Sequence, residues 1–281
     1  MDDVVSGLPA AAASVSVVMP HYNASRTLAR ALDSVMRQSR EAAEVIVVDD
    51  ASAQDEREAA QRTVESYPGT RLILLDRNGG PAHARNVGWD AAVGDWVAFL
   101  DCDDAWHPRK LETQLALALG SGTTPHMIAG RTVQLAAPEE LGSMPLNASA
   151  PAYVIRKRDL LVRNRMSTPS VLVRRDLPLR FSAGRRFSED YELWLSIAGL
   201  GHTIVFLDAP VAAIFKAPYG DSGLSARIWP MIVGEYQAYI GARRVGALNR
   251  LETVVGIAIS TGRAGLRVVR LLARRVRRGA R

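Results

Sequence analysis

Residues Trp96-Val97-Ala98-Phe99-Leu100-Asp101-Cys102-Asp103-Asp104 run from an apolar stretch directly into three carboxylates interrupted by one cysteine. An apolar run this short reads as a strand covered on both faces, as in a parallel sheet. Its acidic end then marks the carboxyl edge of the sheet, where open α/β folds bind their ligands. Acids so close together repel unless a cation or hydrogen-bond donors compensate them. A hard divalent cation, Mg²⁺ or Mn²⁺, held by one or two carboxylates and completed by substrate phosphates, is one such compensation. An acidic strand-to-helix turn with Asp104 as a cap is the other, and the segment alone leaves both open.

The flanking sequence alternates strand and helix patterns. Val15–Met19 reads as a strand, and Leu28, Leu32 and Val35 follow at helical spacing. Val45–Val48 is a second strand, again ending in acids, Asp49 and Asp50. A charged helix over Gln54–Ser66, a strand over Arg71–Leu75, a turn at Asn78–Pro81 and a helix over Ala82–Ala92 lead to the opening segment. Repeated βα units predict a Rossmann-like, mostly parallel α/β sheet with helices on both faces. Beyond it the reading is a helix over Arg109–Leu119, a strand over Met127–Ala136 and a mobile loop over Pro138–Pro151. A helix over Phe187–Leu200, short strands at Val205–Leu207 and Val211–Phe215, and a wholly helical extension from Trp229 complete the chain. The expected organisation is therefore a flexible N-terminus over 1–14 and a main domain over 15–225, whose pattern changes at 108. A helical extension over 226–281 follows.

Composition narrows the function. Cys102 is the single cysteine, which excludes an internal disulfide and a multi-cysteine zinc site. It reads as buried filler between functional aspartates, with a nucleophilic role as the weaker alternative. The start, Met1-Asp2-Asp3, is acidic where a secretory leader is basic, and no apolar stretch reaches membrane-spanning length, so the expected compartment is the cytoplasm. From Leu251 onward there are eight arginines and one glutamate, which accounts for the whole +6 net charge and leaves the body near neutral. That distribution gives no basic surface for nucleic acid. No Gly-x-Gly-x-x-Gly follows a strand and no P-loop is present, which argues against a dehydrogenase or a P-loop nucleotidase.

Two parallel strands ending in acids place Asp49-Asp50 and Asp101/Asp103/Asp104 along one sheet edge, where one acid can bind a base or ribose and another a metal on a diphosphate. Four segments occur in order: Met19-Pro20-His21-Tyr22-Asn23, Val47-Val48-Asp49-Asp50-Ala51-Ser52, Gly80-Pro81-Ala82-His83-Ala84-Arg85-Asn86, and Phe99-Leu100-Asp101-Cys102-Asp103-Asp104. With Ser188-Glu189-Asp190-Tyr191-Glu192-Leu193-Trp194 they resemble the family 2 inverting glycosyltransferases of GT-A fold, over roughly 15–207.

The resemblance makes 15–108 the nucleotide-binding half and 109–225 the acceptor-side half. It implies a nucleotide-diphosphate sugar donor, with UDP favoured, a hydroxyl acceptor that is a saccharide or lipid-linked, and a divalent metal. Pro20, Tyr22 and Asn23 would border the base, with Tyr22 stacking on it or standing as a half-buried strand-end aromatic. Asp50 would bond the base while Asp49 orients the loop. Arg85 resembles an arginine facing the diphosphate or ribose, its alternative being a solvated helix arginine. Asn86 and Gly88 read as packing residues. Asp103 matches the metal ligand of the DXD motif, and Asp101 lies by the ribose or shares the cation. Asp104 is assigned to a helix start, and His107 to a structural role. Asp190 is the candidate general base, with Glu189 on the acceptor side as its competitor. An acidic first helical turn is the plain alternative for both. Thr168–Val173 resembles the strand behind the acceptor pocket. Phe215-Lys216 and Ser222-Gly223-Leu224-Ser225 fall where relatives carry a basic residue and a serine-containing loop near the diphosphate. The histidine common there is absent, with Lys216 as its substitute, and the loop Ala217–Ser225 carries no readable specificity.

Arg263–Arg281 interleaves arginines with Leu266, Val268, Val269, Leu271, Leu272 and Val276. It fits a basic amphipathic helix at an anionic membrane surface, or a helix packed on the body or on a second subunit of a homodimer. The competing functions are a degenerate nucleotide-sugar-binding module and a haloacid-dehalogenase-type phosphohydrolase. The latter places Asp-x-Asp after its first strand, whereas three βα units precede it here.

Overall fold

The computed structural model describes residues 13–120, 125–136, 139–146, 150–185, 187–215 and 228–279. The opening half is built as the periodicity predicts: β1 (Val15–His21), α1 (Ser25–Met36), β2 (Glu44–Asp49), α2 (Gln54–Glu65), β3 (Thr70–Leu74), α3 (Pro81–Ala91) and β4 (Trp96–Phe99). All of these strands run parallel, in the spatial order β3-β2-β1-β4. Their side chains explain the apolar runs. Val17, Met19, Val45, Val47 and Ala98 face α1, α2 and α4, with Leu28, Leu32 and Val64 packed on them. Val18, Ile46, Val48, Val97 and Phe99 face the opposite layer, with Trp89 of α3 and Trp194 of α7. A strand buried on both sides needs apolar residues at every position.

The second half departs from a parallel pattern. It comprises β5 (Asp104–Trp106), α4 (Lys110–Gly120), β6 (Met127–Gln134), α5 (Glu139–Gly142), β7 (Ala152–Ile155) and α6 (Lys157–Val162). A 3₁₀ turn (Thr168–Ser170), β8 (Leu172–Arg174), α7 (Glu189–Gly199), β9 (Ile204–Ile214), α8 (Ile228–Arg244) and α9 (Arg250–Gly279) follow. β8 enters antiparallel between β4 and β6, β9 lies parallel to β6, and β5 and β7 each add antiparallel to β9. The sheet is thus parallel on the β1–β4 side and mixed beyond it.

Three local expectations change. Asp104 does not start a helix: it opens β5 and pairs with Ile214. The two short strands after Gly201 are one, β9, whose register against β6 shifts around Arg131. Pro210 lies within that shift, which is why the pattern breaks in sequence but not in space. The stretch read as a mobile loop contains α5, and Leu141 and Leu146 are buried. The expected helical extension is present as two helices, α8 and α9, with a turn between them at Gly246, φ +81°. α8 is part of the core: Tyr239 meets Tyr191 edge to face with ring centroids 5.5 Å apart and their hydroxyls 2.8 Å apart.

Gly88 has the packing role expected of it. A Cβ there would lie 2.3 Å from Val18 Cγ1 and 3.2 Å from Val48 Cγ2, so α3 rests directly on the sheet. Gly88→Val should lower stability in urea unfolding by about 1–3 kcal/mol; a variant as stable as the parent would show that α3 can move away from β1.

Candidate active site

The carboxyl ends of β2, β1 and β4 are neighbours because their strands are parallel, and the acids at those ends meet for that reason. His21 and Asp49 are register partners on β1 and β2. Both are buried, with His21 Nδ1 2.8 Å from Asp49 Oδ1. Asp49 also accepts from the Ser52 amide (3.1 Å) and Arg57 Nε (2.9 Å). Burial raises its pKa, but the hydrogen bonds from Ser52 and His21 outweigh that and hold the carboxyl below its ordinary range. Asp49 therefore braces the loop. Asp50 next to it accepts from the Gly79 amide at 2.8 Å and the Gly80 amide at 2.7 Å. Gly80 takes φ +83°, a left-handed value that glycine tolerates and that lets its N–H turn toward the carboxylate.

Pro20, Tyr22 and Asn23 end β1 on the same edge. The Pro20 carbonyl accepts from Cys102 Sγ at 3.2 Å, Tyr22 is 53% exposed, and the Asn23 amide donates to Ser52 Oγ at 2.9 Å. The exposed ring leaves Tyr22 a stacking face, and the half-buried alternative does not apply to it. Asn23 (φ +46°), Ala51 (φ +58°) and Ser188 (φ +56°) all hold left-handed backbone in loops that border this edge. Such strain in non-glycine residues clusters at functional sites.

Arg85 is not a solvated helix arginine. It is 4% exposed, and its two terminal nitrogens reach Asp101 Oδ1 at 2.7 Å and Glu189 Oε1 at 2.9 Å. Its guanidinium also lies 5.5 Å from the centroid of the Phe181 ring. Burial opposes its charge, but the two carboxylates more than compensate and hold it protonated. One arginine thus ties α3 to the end of β4 and to the first turn of α7. Asn86, one residue on, clasps the loop before α7: its Nδ2 donates to the Phe181 carbonyl (2.7 Å) and its Oδ1 accepts the Phe181 amide (3.0 Å).

Asp190 sits beside that ion pair. Its Oδ1 accepts the Tyr191 amide at 2.6 Å. Burial first, and then the adjacent Glu189 charge, push its carboxyl up to about 7. Asp103 lies on the loop after β4, where Arg30 donates to its carbonyl at 2.6 Å and stacks over Phe215 at 4.3 Å. Cys102 is buried, and burial together with Asp101, Asp103 and Asp104 drives its thiol pKa well up, which argues against a nucleophile. His107 is structural, with Nε2 3.0 Å from the Met144 carbonyl and Nδ1 accepting the Arg109 amide.

His21, Ser52, Arg57 and Arg30 are the residues to which the sequence reading gave no role, although His21 and Ser52 stand inside the quoted motif segments. Lys216 and Ala217–Ser225 lie outside the described residues. Among the described residues no three His, Cys, Asp or Glu side chains converge as a ready-made metal cage. Asp101 and Asp103 nonetheless offer hard oxygen donors on one turn, the partial set that suits a cation finished by phosphate oxygens.

Residues 16–124 match the family described as Glycosyl transferase family 2. The amylovoran biosynthesis glycosyltransferase AmsB of Erwinia amylovora is 32% identical over 206 residues, covering 71% of this chain and 68% of its own. The UDP-Glc:alpha-D-GlcNAc-diphosphoundecaprenol beta-1,3-glucosyltransferase WfgD of Escherichia coli is 32% identical over 185 residues, covering 65% of this chain and 69% of its own. Mannosyltransferase PcManGT of Pyrobaculum calidifontis, solved with GDP-Man and Mn²⁺, superposes with a TM-score of 0.59 at 19% identity. It covers 96% of this chain and 81% of that one, and at this identity it attests the fold. The chain belongs to glycosyltransferase family 2 and has the GT-A fold. The phosphohydrolase alternative falls with that membership.

Two outcomes follow from the ion-pair geometry. Arg85→Met strands two carboxylates and should cost about 3–5 kcal/mol in urea unfolding; a loss under about 1 kcal/mol would mean that solvent reaches the pair. Asp190, raised from 3.8 to about 7, holds its proton in the folded state after the unfolded chain has lost it. Its contribution therefore becomes steadily less favourable as pH rises through that window. The Tm of Asp190→Asn should gain on the parent between pH 3.8 and about 7 and keep the gain above; a pH-independent difference contradicts the shift.

Proposed function

We propose that this protein transfers a sugar from a nucleotide-diphosphate donor to a hydroxyl acceptor with inversion, in the assembly of a cell-surface polysaccharide or glycolipid. The observation that carries it is the unequal fate of two adjacent acids: Arg85 engages Glu189 in a buried ion pair, while Asp190 stands beside it with a raised pKa. A carboxylate that titrates near neutrality is suited to accept a proton in the transition state. The printed names of AmsB and WfgD support polysaccharide and lipid-diphosphate chemistry, and WfgD supports UDP as the donor base.

In this reading Tyr22 stacks on the base from the edge formed by Pro20 and Asn23. Asp50 uses its remaining lone pairs for base or ribose donors while the Gly79 and Gly80 amides hold it in place. Asp103, with Asp101, would hold a divalent cation, as the Mn²⁺ in PcManGT supports. When bound, that cation stabilises negative charge on the departing diphosphate. Asp190 removes the proton from the acceptor hydroxyl as its oxygen bonds to C1 of the sugar, and the C1–O bond to the diphosphate breaks on the opposite face. Arg85 keeps Asp101 and Glu189 in place, so its role here is positioning rather than contact with the diphosphate.

Asp103→Ala should abolish Mn²⁺-dependent binding of UDP-sugars in calorimetry, whereas Asp190→Asn should keep donor binding and lower kcat by roughly 10²–10⁴-fold. Full transfer by the Asp190→Asn protein would sink the assignment of the base.

A further inference from the structure

The arginine-rich C-terminal helix has no part in the transfer chemistry, but the structure orients it. α9 runs back along α8, held by Ser260 Oγ to Glu235 (2.6 Å), Tyr236 Oη with Thr261 Oγ1 (2.7 Å) and Arg263 to Glu235 (2.9 Å). Gly256 packs against the Tyr239 ring, Thr253 and Ser260 are buried, and Ile257 is the one larger apolar side chain of this stretch packed on the core, so α9 turns a mainly small and polar face to the body. Its opposite face is apolar and in solvent: Leu251 is 72% exposed, Val254 64% and Leu266 60%, with Val255 between them. The adjoining helix α8 also exposes Val233, Ile240 and Trp229, the last at 74%. A surface helix ordinarily points its apolar stripe inward. Here α9 points Leu251, Val254 and Leu266 outward, and α8, which buries Ile232, Ala238, Tyr239 and Ala242 in the core, still exposes Trp229, Val233 and Ile240. Exposed apolar residues grouped in this way mark an interaction surface.

Charge selects the partner. Seven more arginines and no acid follow Leu266, and α9 continues to Gly279. The sequence repeats apolar residues at helical spacing through the same stretch, at Leu266, Val269, Leu272 and Val276. A second copy would bring two such arginine-rich segments together, and like charges repel. An anionic lipid surface meets both features at once, apolar residues entering the interface and arginines meeting headgroups. Among the described residues no helix is long and apolar enough to cross a membrane, which suits a helix lying in the interface. We propose that the outward apolar face of α8 and α9 docks this protein on an anionic lipid surface. Trp229 is well placed there, since tryptophan favours the headgroup level.

Flotation of the full chain with vesicles tests this. Binding is expected to vesicles of phosphatidylcholine mixed with phosphatidylglycerol, much less to phosphatidylcholine alone, and it should weaken with salt. Trp89, Trp96, Trp106 and Trp194 are buried, so a blue shift in tryptophan emission on binding reports Trp229. The triple variant L251S/V254S/L266S changes exposed positions only. It should partition to anionic vesicles at least about tenfold less while retaining transfer to a soluble acceptor. Undiminished partition of this variant, or no partition of the parent, overturns the proposal. So does a lipid-free dimer that the same substitutions dissociate, which would assign the face to a second copy. Vesicle binding is read without any transfer assay, so it stands or falls apart from the catalytic reading.

Discussion

Arg85 is the point on which the site turns, because it is a buried cation with two carboxylates from distant parts of the chain, Asp101 and Glu189. A buried arginine is tolerable only when its charge is met, and here two carboxylates meet it through the terminal nitrogens while Nε has no partner among the described residues. That requirement binds three elements at once: α3, which carries the arginine; the turn after β4, which carries Asp101; and the N-terminus of α7, which carries Glu189. With Glu189 engaged, Asp190 faces a buried environment beside a negative charge, and its pKa rises as a result. The ion pair thus places two neighbouring acids in different surroundings, Glu189 bonded to Arg85 and Asp190 to the Tyr191 amide.

The same logic recurs along the sheet edge. Asp49 is enclosed by His21, Ser52 and Arg57 and holds the β1 and β2 ends together. Asp50 is held by two backbone amides of the Gly79-Gly80 turn. Left-handed residues at Asn23, Ala51 and Ser188 cost strain that the surrounding hydrogen bonds offset. Acids that looked equivalent as letters are distinguished by which donors reach them.

Much of the fold was legible from periodicity, and the reason is burial. Val17, Val18 and Met19, or Val45 through Val48, are apolar throughout because β1 and β2 are covered on both faces, and few alternatives compete with that reading. Legibility fell where strands are short or irregular. β5 spans only Asp104–Trp106 and owes its strand geometry to β9, a partner about a hundred residues later in the chain. β9 itself looked like two strands because Pro210 interrupts its pattern at a register shift. α5 is too short to show a period, and the break between α8 and α9 needed the left-handed Gly246.

The amino-acid sequence by itself determined the order of elements in the first half, the family to which the chain belongs, and the short set of acids from which any mechanism must draw. It could do so because motif and period are local properties of neighbouring residues. Which acid is paired and which is poised, whether Arg85 faces solvent or two carboxylates, and which side of α9 is wet were decided only by tertiary structure. Each depends on groups far apart in the chain: Arg85 and Glu189 are 104 residues apart. Charge and exposure are set by what surrounds a side chain in space, and no reading along the chain contains that.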